Sequence, residues 1–224
     1  DEEIVIKKGN ELQAEDFGDL TTILIENPKP EKRTGIHLAD EELIRGSVPM
    51  TKEEVRTVSI AKLKLTKNAV IYDVGAGTGS VSIEAALQGE NLRVYAIEKN
   101  PEGAELIRKN MQKFRTDQIQ VIEGVAPEAL EALEMPTHAF IGGSSGNLKE
   151  IVKLLVEKNP QVRIVINCIT LETVSEALET AKEFGFEENE IVQLSAARSK
   201  AIGRYHMMMG ENPIYIITLQ NPGK

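Results

Sequence analysis

A glycine-rich turn after an apolar, strand-like segment is the part of this sequence best suited to bind a ligand. The turn is Gly75-Ala76-Gly77-Thr78-Gly79, and it follows residues 70–74. Glycines at alternate positions let the backbone turn sharply and approach a ligand where a Cβ would clash. Nineteen residues after Gly79, Glu98 closes a second apolar segment, where a carboxylate can accept hydrogen bonds from a ribose diol. The spacing predicts a site for a nucleoside-bearing cofactor.

Ser80, the residue that follows this turn, distinguishes between classes of cofactor. The dinucleotide fingerprint G-x-G-x-x-G requires glycine where this chain has Ser80, and the Lys-Ser/Thr pair of a triphosphate loop is absent nearby. S-adenosylmethionine has no phosphate, so its site needs close backbone approach and an acid for the ribose. We therefore predict S-adenosylmethionine, and expect Gly77→Val to block it while the domain stays folded. The alternative is a turn that only packs a helix on a sheet.

Composition narrows the class of protein. The 224 residues are 41% apolar, and no uninterrupted apolar stretch is long enough to span a membrane. The single cysteine, Cys168, lies in an apolar segment and predicts a buried core thiol in a reducing cytoplasm. Three scattered histidines lack metal-ligand spacing, and a net charge of −9 argues against a broad nucleic-acid surface. We expect a cytoplasmic enzyme without metal, membrane or nucleic-acid partner.

The chain is predicted to have two parts. The first part, residues 1–34, has one strand-like segment, 20–25, and a segment rich in proline and charge, 27–35, links it to the second part. Residues 35–224 read as one continuous domain.

Within that domain, strand and helix patterns alternate until the last two strands, which have no helix between them. Alternation predicts a parallel sheet with right-handed crossovers, and the final pair predicts an antiparallel hairpin. This is the Rossmann-like layout of class I methyltransferases, α/β proteins with a seven-stranded, mostly parallel sheet and one antiparallel strand. Thr51 is the predicted N-cap of the first helix, with Glu54 at capping-box spacing. The predicted strands are Ala69–Val74, Arg93–Glu98, Ile119–Glu123, His138–Ile141, Arg163–Ile169, Ile191–Ala196 and Ile214–Leu219; the later helices are Ser80–Leu87, Pro101–Phe114, Pro127–Leu133, Asn147–Val156 and Leu171–Phe184.

Several segments, taken in order, resemble a single family of cobalamin biosynthesis, the precorrin-6Y (cobalt-precorrin-6B) C15-methyltransferases that also decarboxylate. The resemblance covers residues 35–219. Residues 1–26 resemble the tail of the companion C5-methyltransferase, which implies that the chain is the C-terminal part of a fusion. The segments that carry the match are Val48–Arg56, Asp73–Ser80, Glu123–Leu130, Ile141–Gly146, Ala197–Ala201 and Asn212-Pro213.

The resemblance implies a set of cofactor contacts: Thr51, Gly75, Ala76, Gly77, Thr78, Gly79, Glu98, Gly124, Val125 and Ala126. A plain N-cap is the alternative role for Thr51. Related enzymes carry Asp where this chain has Val125, so a side-chain acceptor for the adenine amino group is missing here. The backbone amide of Val125 can still reach the ring.

The resemblance also implies a precorrin substrate. Gly143, Ser144 and Ser145 follow the fourth strand, where small residues leave room for a broad ring and hydroxyls can bond its carboxylates. Arg198 and Arg204 can bind acetate and propionate groups. The alternatives are a tight turn with a helix cap for the first set and a solvated basic loop for the second.

The remaining expectations concern assembly and rival functions. The resemblance implies a homotetramer, with Met207–Met209 as a contact surface. Tyr205 and His206 are weak candidates for the proton donor in decarboxylation. Two alternative functions remain. One is a methyltransferase acting on tRNA or protein, and the other is a non-catalytic cofactor-binding partner of the companion enzyme. A dehydrogenase is disfavoured by Ser80.

Overall fold

The chain divides into two compact units, Asp1–Thr34 and Gly35–Lys224. The structure, a computed structural model, describes residues 4–8, 11, 22, 24, 26, 37–186 and 188–221. Most of the predicted strand 20–25 and the whole predicted linker 27–35 lie outside those residues. The assignment of residues 1–34 to a companion domain therefore stays a prediction.

Helices and strands alternate through the second unit, as predicted. Two short 3₁₀ helices, Asp40–Glu42 and Glu128–Leu130, lie in the connections. The α-helices are α1 (Glu53–Leu63), α2 (Ser80–Ala86), α3 (Pro101–Phe114), α4 (Leu148–Lys158) and α5 (Leu171–Glu183). The strands are β1 (Val70–Val74), β2 (Arg93–Glu98), β3 (Ile119–Glu123), β4 (His138–Ile141), β5 (Arg163–Cys168), β6 (Glu188–Leu194), β7 (Ala197–Ile202), β8 (Tyr205–Gly210) and β9 (Ile214–Gln220).

Seven strands form one sheet in the order β3-β2-β1-β4-β5-β9-β6. β9 runs antiparallel to both of its neighbours, and the pairs from β3 to β5 are all parallel. The predicted fold class is confirmed. Since parallel strands end at the same edge, the loops after β1, β2, β3 and β4 meet at one edge of the sheet, which is where ligands of such folds bind.

Alternate residues of β1 enter two different apolar layers, because successive side chains of a strand point to opposite faces. Tyr72 and its alternate neighbours pack in a layer with residues of α4 and α5. Ile71 packs in a layer with residues of α2 and α3. The strand is therefore buried on both faces, which explains its continuous apolar pattern.

Two regions of the chain differ from the predictions. The helix predicted over Pro127–Leu133 is one 3₁₀ turn. Strands β7 and β8 were not predicted. They follow β6 and precede β9 in the chain, and they form a separate two-stranded sheet. Almost every residue of this hairpin is exposed, so burial imposes no alternation on its sequence.

The prediction that Thr51 caps the first helix is wrong. The helix begins at Glu53, and its N-cap is Lys52, which makes no side-chain cap bond. The Thr51 carbonyl accepts instead from Arg56 Nη1 at 2.8 Å. The buried Arg56 guanidinium therefore holds the backbone at Thr51, and the capping-box spacing of Thr51 and Glu54 does not set the start of the helix.

Arg56 is fully buried and joins the segment before α1 to two helices. Its Nε donates to Glu84 of α2 at 2.6 Å, and its Nη1 donates to Asp40 at 3.2 Å. Its Nη2 donates to the Leu38 carbonyl. Both carboxylates are themselves buried, and Arg56 is the buried cation that contacts both of them.

Arg56→Met should lower the free energy of unfolding by about 3–5 kcal/mol, because it leaves the buried Glu84 without a guanidinium and leaves Asp40 with only the longer contacts to Arg198 and Lys52. Urea denaturation measures the loss. Arg45→Met is the matched control: Arg45 is exposed, and its replacement should change stability by less than about 0.5 kcal/mol. Equal stability of the two variants would contradict this role.

Asp73 is the buried penultimate residue of β1, two residues before the glycine turn begins. Its Oδ2 accepts from the Ser82 hydroxyl at 2.5 Å, while its Oδ1 has no partner. Burial raises the pKa of Asp73 to about 7, the Ser82 hydrogen bond opposes that rise, and the charge of Glu98 adds to it. The folded protein therefore holds a proton here that the unfolded chain releases near its ordinary pKa of 3.8.

The Asp73 proton makes stability fall as pH rises from about 4 to about 7, because in that window the folded state binds more protons than the unfolded state. In Asp73→Asn this fall should be absent. Between pH 4 and 8, the wild type should lose on the order of 3 kcal/mol relative to the variant, measured by urea denaturation. Asp117→Asn, at an exposed position, is the control and should parallel the wild type. A parallel profile for Asp73→Asn would refute the raised pKa.

Candidate functional site

A cavity of about 300 Å³ lies at the edge of the sheet where the parallel strands end, a size found for small-molecule sites. Four loops and the segment before α1 contribute to it. The chain leaves β1 toward β2 on one side and reaches β4 on the other, and this reversal of strand order is where open α/β sheets bind ligands. Its lining residues are Val48, Pro49, Val74, Gly75, Gly77, Ile97, Glu98, Lys99, Asn100, Gly124, Val125, Ala126, Gly142, Gly143, Ser144 and Ser145.

The glycine turn permits a close approach of two loops. Gly75 has a φ of +73°, and a Cβ there would lie 2.6 Å from the Gly143 carbonyl oxygen. The Gly75 and Ala76 amides both donate to the Ile97 carbonyl at 3.0 Å. The loops after β1, β2 and β4 are thereby joined at the cavity.

Gly77 is held against protein backbone. Its φ is +58°, and a Cβ would lie 2.5 Å from the Pro49 carbonyl oxygen. A Cβ at Gly77 therefore points at Pro49 and not only into ligand space, so Gly77→Val should also destabilise the domain, in a backbone conformation that already disfavours valine.

Glu98 is 7% exposed, and its carboxylate is held in place from both sides. Oε2 accepts from the Gly77 amide at 2.7 Å, and Oε1 accepts from the Asn100 amide at 2.8 Å. Each oxygen retains a further lone pair. A preorganised carboxylate at the cavity wall, able to accept from two more donors, suits a ribose diol.

The segment that carries Val48 and Pro49 is fastened to α3. The Ser47 amide and hydroxyl donate to Glu102 at 2.8 and 2.6 Å, and these bonds hold the pKa of Glu102 below its usual range. Asn110, which is fully buried, exchanges hydrogen bonds with the backbone of Ile44. This wall of the cavity is a fixed part of the domain.

The loop after β3 presents Val125 to the cavity, with 43% of its surface exposed. The Ala126 carbonyl accepts from Asn147 Nδ2 at 3.0 Å, which connects this loop to the start of α4. Gly124 also lines the cavity. The loop therefore lines the cavity with an apolar side chain at Val125.

Four residues predicted to contact the cofactor do not line the cavity: Thr51, Ala76, Thr78 and Gly79. Gly79 packs closely against α3, because a Cβ there would lie 2.9 Å from Ile107. Thr78 is buried, and its hydroxyl has no partner. A role in cofactor binding stays a prediction for these residues.

The two arginines of the predicted substrate site also lie outside the cavity lining. Arg198 donates to Glu54 at 2.7 Å and forms ion pairs with Asp40 and Glu211 at 3.4 and 3.6 Å. Arg204 stacks over the Tyr205 ring, 5.0 Å from its centroid. Three carboxylates already compensate the charge of Arg198, and substrate binding by either arginine stays a prediction.

The sequence-based reasoning did not assign Val48, Pro49, Lys99 or Asn100 to the site. Lys99 and Asn100 directly follow Glu98, so their place at the end of β2 could have indicated a position in the cavity. Lys99 Nζ donates to Ser145 Oγ at 2.9 Å. Val48 and Pro49 reach the cavity through long-range contacts for which local sequence gives no signal.

Three further features concern the part of the chain that the structure describes. Cys168 is buried as predicted, and burial raises the pKa of its thiol to about 11. No group of three or more potential metal ligands occurs among the described residues. Nor does any helix described there have the length and apolar character needed to cross a membrane.

Comparison with known sequences gives a consistent family. A family model described as "Precorrin methyltransferase domain" matches residues 44–221. A protein of Pyrobaculum calidifontis named probable cobalt-precorrin-6B C(15)-methyltransferase (decarboxylating) is 43% identical over 173 residues. That alignment covers 76% of this chain and 88% of the relative.

Solved structures give the same result. A precorrin-6Y C5,15-methyltransferase from Geobacter metallireducens matches with a TM-score of 0.79 and 36% identity, covering 84% of this chain and all of that one. The precorrin 8w decarboxylase of Methanobacterium thermoautotrophicum matches with a TM-score of 0.75 and 38% identity, covering 81% of this chain and 98% of that one. The chain belongs to the precorrin methyltransferase family.

Proposed function

We propose that this chain transfers a methyl group from S-adenosylmethionine to C15 of a precorrin and catalyses decarboxylation of the ring C acetate side chain, in cobalamin biosynthesis. The observation that carries the proposal is the meeting of the glycine turn, the Glu98 carboxylate and the loop after β4 at one cavity. The name of the Pyrobaculum calidifontis relative includes both reactions.

The residues at the cavity fit this cofactor. Glu98 would hold the ribose, the backbone of Gly75 and Gly77 would face the methionine end, and residues 124–126 would flank the adenine. Ser80 stands where a dinucleotide site requires glycine, so a phosphate-free nucleoside fits better. When bound, S-adenosylmethionine supplies an electrophilic methyl group on a sulfonium.

The chain's own contribution to methyl transfer is alignment and exclusion of water. The loop after β4 leaves room beside the cofactor position, because a Cβ on Gly143 would meet no atom within 4 Å. In the decarboxylation, the electrons of the broken C–C bond pass into the conjugated ring and a proton takes the place of carbon dioxide. Tyr205 and His206 are exposed on β8 and outside the cavity lining, so neither is supported as the proton donor.

Mass spectrometry of the product tests the proposed function directly. With S-adenosylmethionine carrying a labelled methyl group and precorrin-6Y or cobalt-precorrin-6B as substrate, the product should gain one labelled methyl group and lose one carbon dioxide. Comparing the two substrates shows whether cobalt is required. Binding of the cofactor without consumption would instead favour the non-catalytic partner, and label transfer to tRNA or protein would favour those substrates.

Glu98→Gln should weaken the binding of S-adenosylmethionine by about 1.5–3 kcal/mol, or roughly 10- to 100-fold, because hydrogen bonds to a charged acceptor are lost. Calorimetric titration measures the affinity. Glu123→Gln is the matched control, since Glu123 is the register partner of Glu98 on β3 but bonds to Arg108 outside the cavity. Wild-type affinity in Glu98→Gln would exclude the ribose assignment.

We also propose that the chain forms homotetramers in the cytoplasm through the β7–β8 hairpin. The hairpin carries exposed apolar side chains on both faces, and exposed apolar surface of this kind marks interfaces. It also pairs with no other strand of the described residues. The exposed apolar residues are Ile202, Tyr205, Met207, Met208 and Met209. Residues 1–34 are proposed to be the tail of a companion C5-methyltransferase domain, in line with the C5,15 in the name of the Geobacter metallireducens protein.

Light scattering at micromolar concentration should give a tetramer for the wild type and smaller species for Met208→Glu, because a carboxylate would be buried in the proposed interface. Met135→Glu is the control: Met135 is similarly exposed but lies outside the hairpin, so the tetramer should persist. A monomeric wild type would reject the assembly.

A further inference from the structure

A lysine and a serine are joined across the mouth of the cavity. Lys99 follows β2 and Ser145 lies in the loop after β4, and Lys99 Nζ donates to Ser145 Oγ at 2.9 Å. β1 lies between these two strands in the sheet. Both side chains are exposed, and both residues line the cavity. The bond therefore connects the cofactor side of the cavity with the loop that we assign to the substrate.

Among the described residues that line the cavity, Lys99 is the one cationic residue. No described carboxylate forms an ion pair with Lys99, and its ammonium group donates to a neutral hydroxyl, that of Ser145. Arg198, in contrast, contacts three carboxylates. In a chain with a net charge of −9, an ammonium group without a carboxylate beside a ligand cavity is available to an anionic ligand.

The backbone at Ser145 supports a functional role for this pair. Ser145 has a φ of +55° and is followed by Gly146 with a φ of +86°. The left-handed region is uncommon for residues other than glycine, and such strain is concentrated at functional sites. The turn holds the Ser145 hydroxyl at the cavity, within reach of Lys99.

We propose that Lys99 and Ser145 together bind one carboxylate of the tetrapyrrole substrate. The ammonium group supplies charge and donors, and the serine hydroxyl, which now accepts from Lys99, can rotate to donate to a carboxylate oxygen. Binding of this anion exchanges the Lys99–Ser145 bond for two bonds to the substrate. The inference rests on the proposed function and makes Lys99 a determinant of substrate specificity at that site.

Binding of uroporphyrin, a tetrapyrrole with acetate and propionate side chains, tests this proposal apart from turnover. Fluorescence titration should show at least tenfold weaker binding to Lys99→Met than to the wild type, about threefold weaker binding to Ser145→Ala, and near-wild-type binding to Lys99→Arg. Lys109→Met controls for the loss of one positive charge, since Lys109 pairs with Glu105 on α3. The affinity for S-adenosylmethionine should stay within twofold in all of them.

Turnover gives the second measurement. Lys99→Met should raise the KM for the precorrin at least tenfold and change kcat less than threefold. Unchanged uroporphyrin binding and KM in Lys99→Met would overturn the inference, and so would a selective loss of affinity for S-adenosylmethionine, which would place Lys99 on the cofactor. A wild type that binds uroporphyrin through Lys99 but does not methylate the precorrin would overturn the proposed function alone.

Discussion

The site depends on one steric constraint: no side chain can stand between the ends of β1 and β4. A Cβ on Gly75 would lie 2.6 Å from the Gly143 carbonyl oxygen, and one on Gly77 would lie 2.5 Å from that of Pro49. These approaches bring three segments to one cavity and aim the Gly77 amide at the Glu98 carboxylate. A larger residue at Gly75 or Gly77 would push the walls of the site apart before it met any ligand.

Charge is distributed unevenly around that constraint. Two buried carboxylates outside the cavity are compensated by arginines, with Arg56 between Asp40 and Glu84 and Arg198 beside Asp40. At the cavity, Glu98 is held by backbone amides and Lys99 by a hydroxyl. The outer cluster therefore stabilises the fold, whereas the two charges at the cavity keep hydrogen-bonding capacity for ligands.

The sequence predicts the central sheet well because burial there imposes a strong pattern. The bounds of the strands Arg93–Glu98 and Ile119–Glu123 and of the helix Pro101–Phe114 match the predictions residue for residue. Pro101 is suited to the first turn of a helix, and Asn100 caps it by accepting from the Glu102 amide. Glu98 could be placed at the cavity because the end of a strand is a local property.

Features that depend on distant contacts could not be predicted. The cap at Thr51 fails because Arg56 binds its carbonyl within a cluster assembled from separate parts of the chain. The partners of Arg198 come from α1 and two loops, so local sequence suggested a free basic residue. The β7–β8 hairpin is exposed on both faces and lacks the alternation that reveals a strand.

A crystal structure of the protein with S-adenosylhomocysteine, the demethylated form of the cofactor, tests the central claim most directly. The account predicts that the nucleoside lies between the glycine turn and the loop after β3, with both ribose hydroxyls donating to Glu98. A nucleoside bound elsewhere, or a ribose that makes no contact with Glu98, would contradict it.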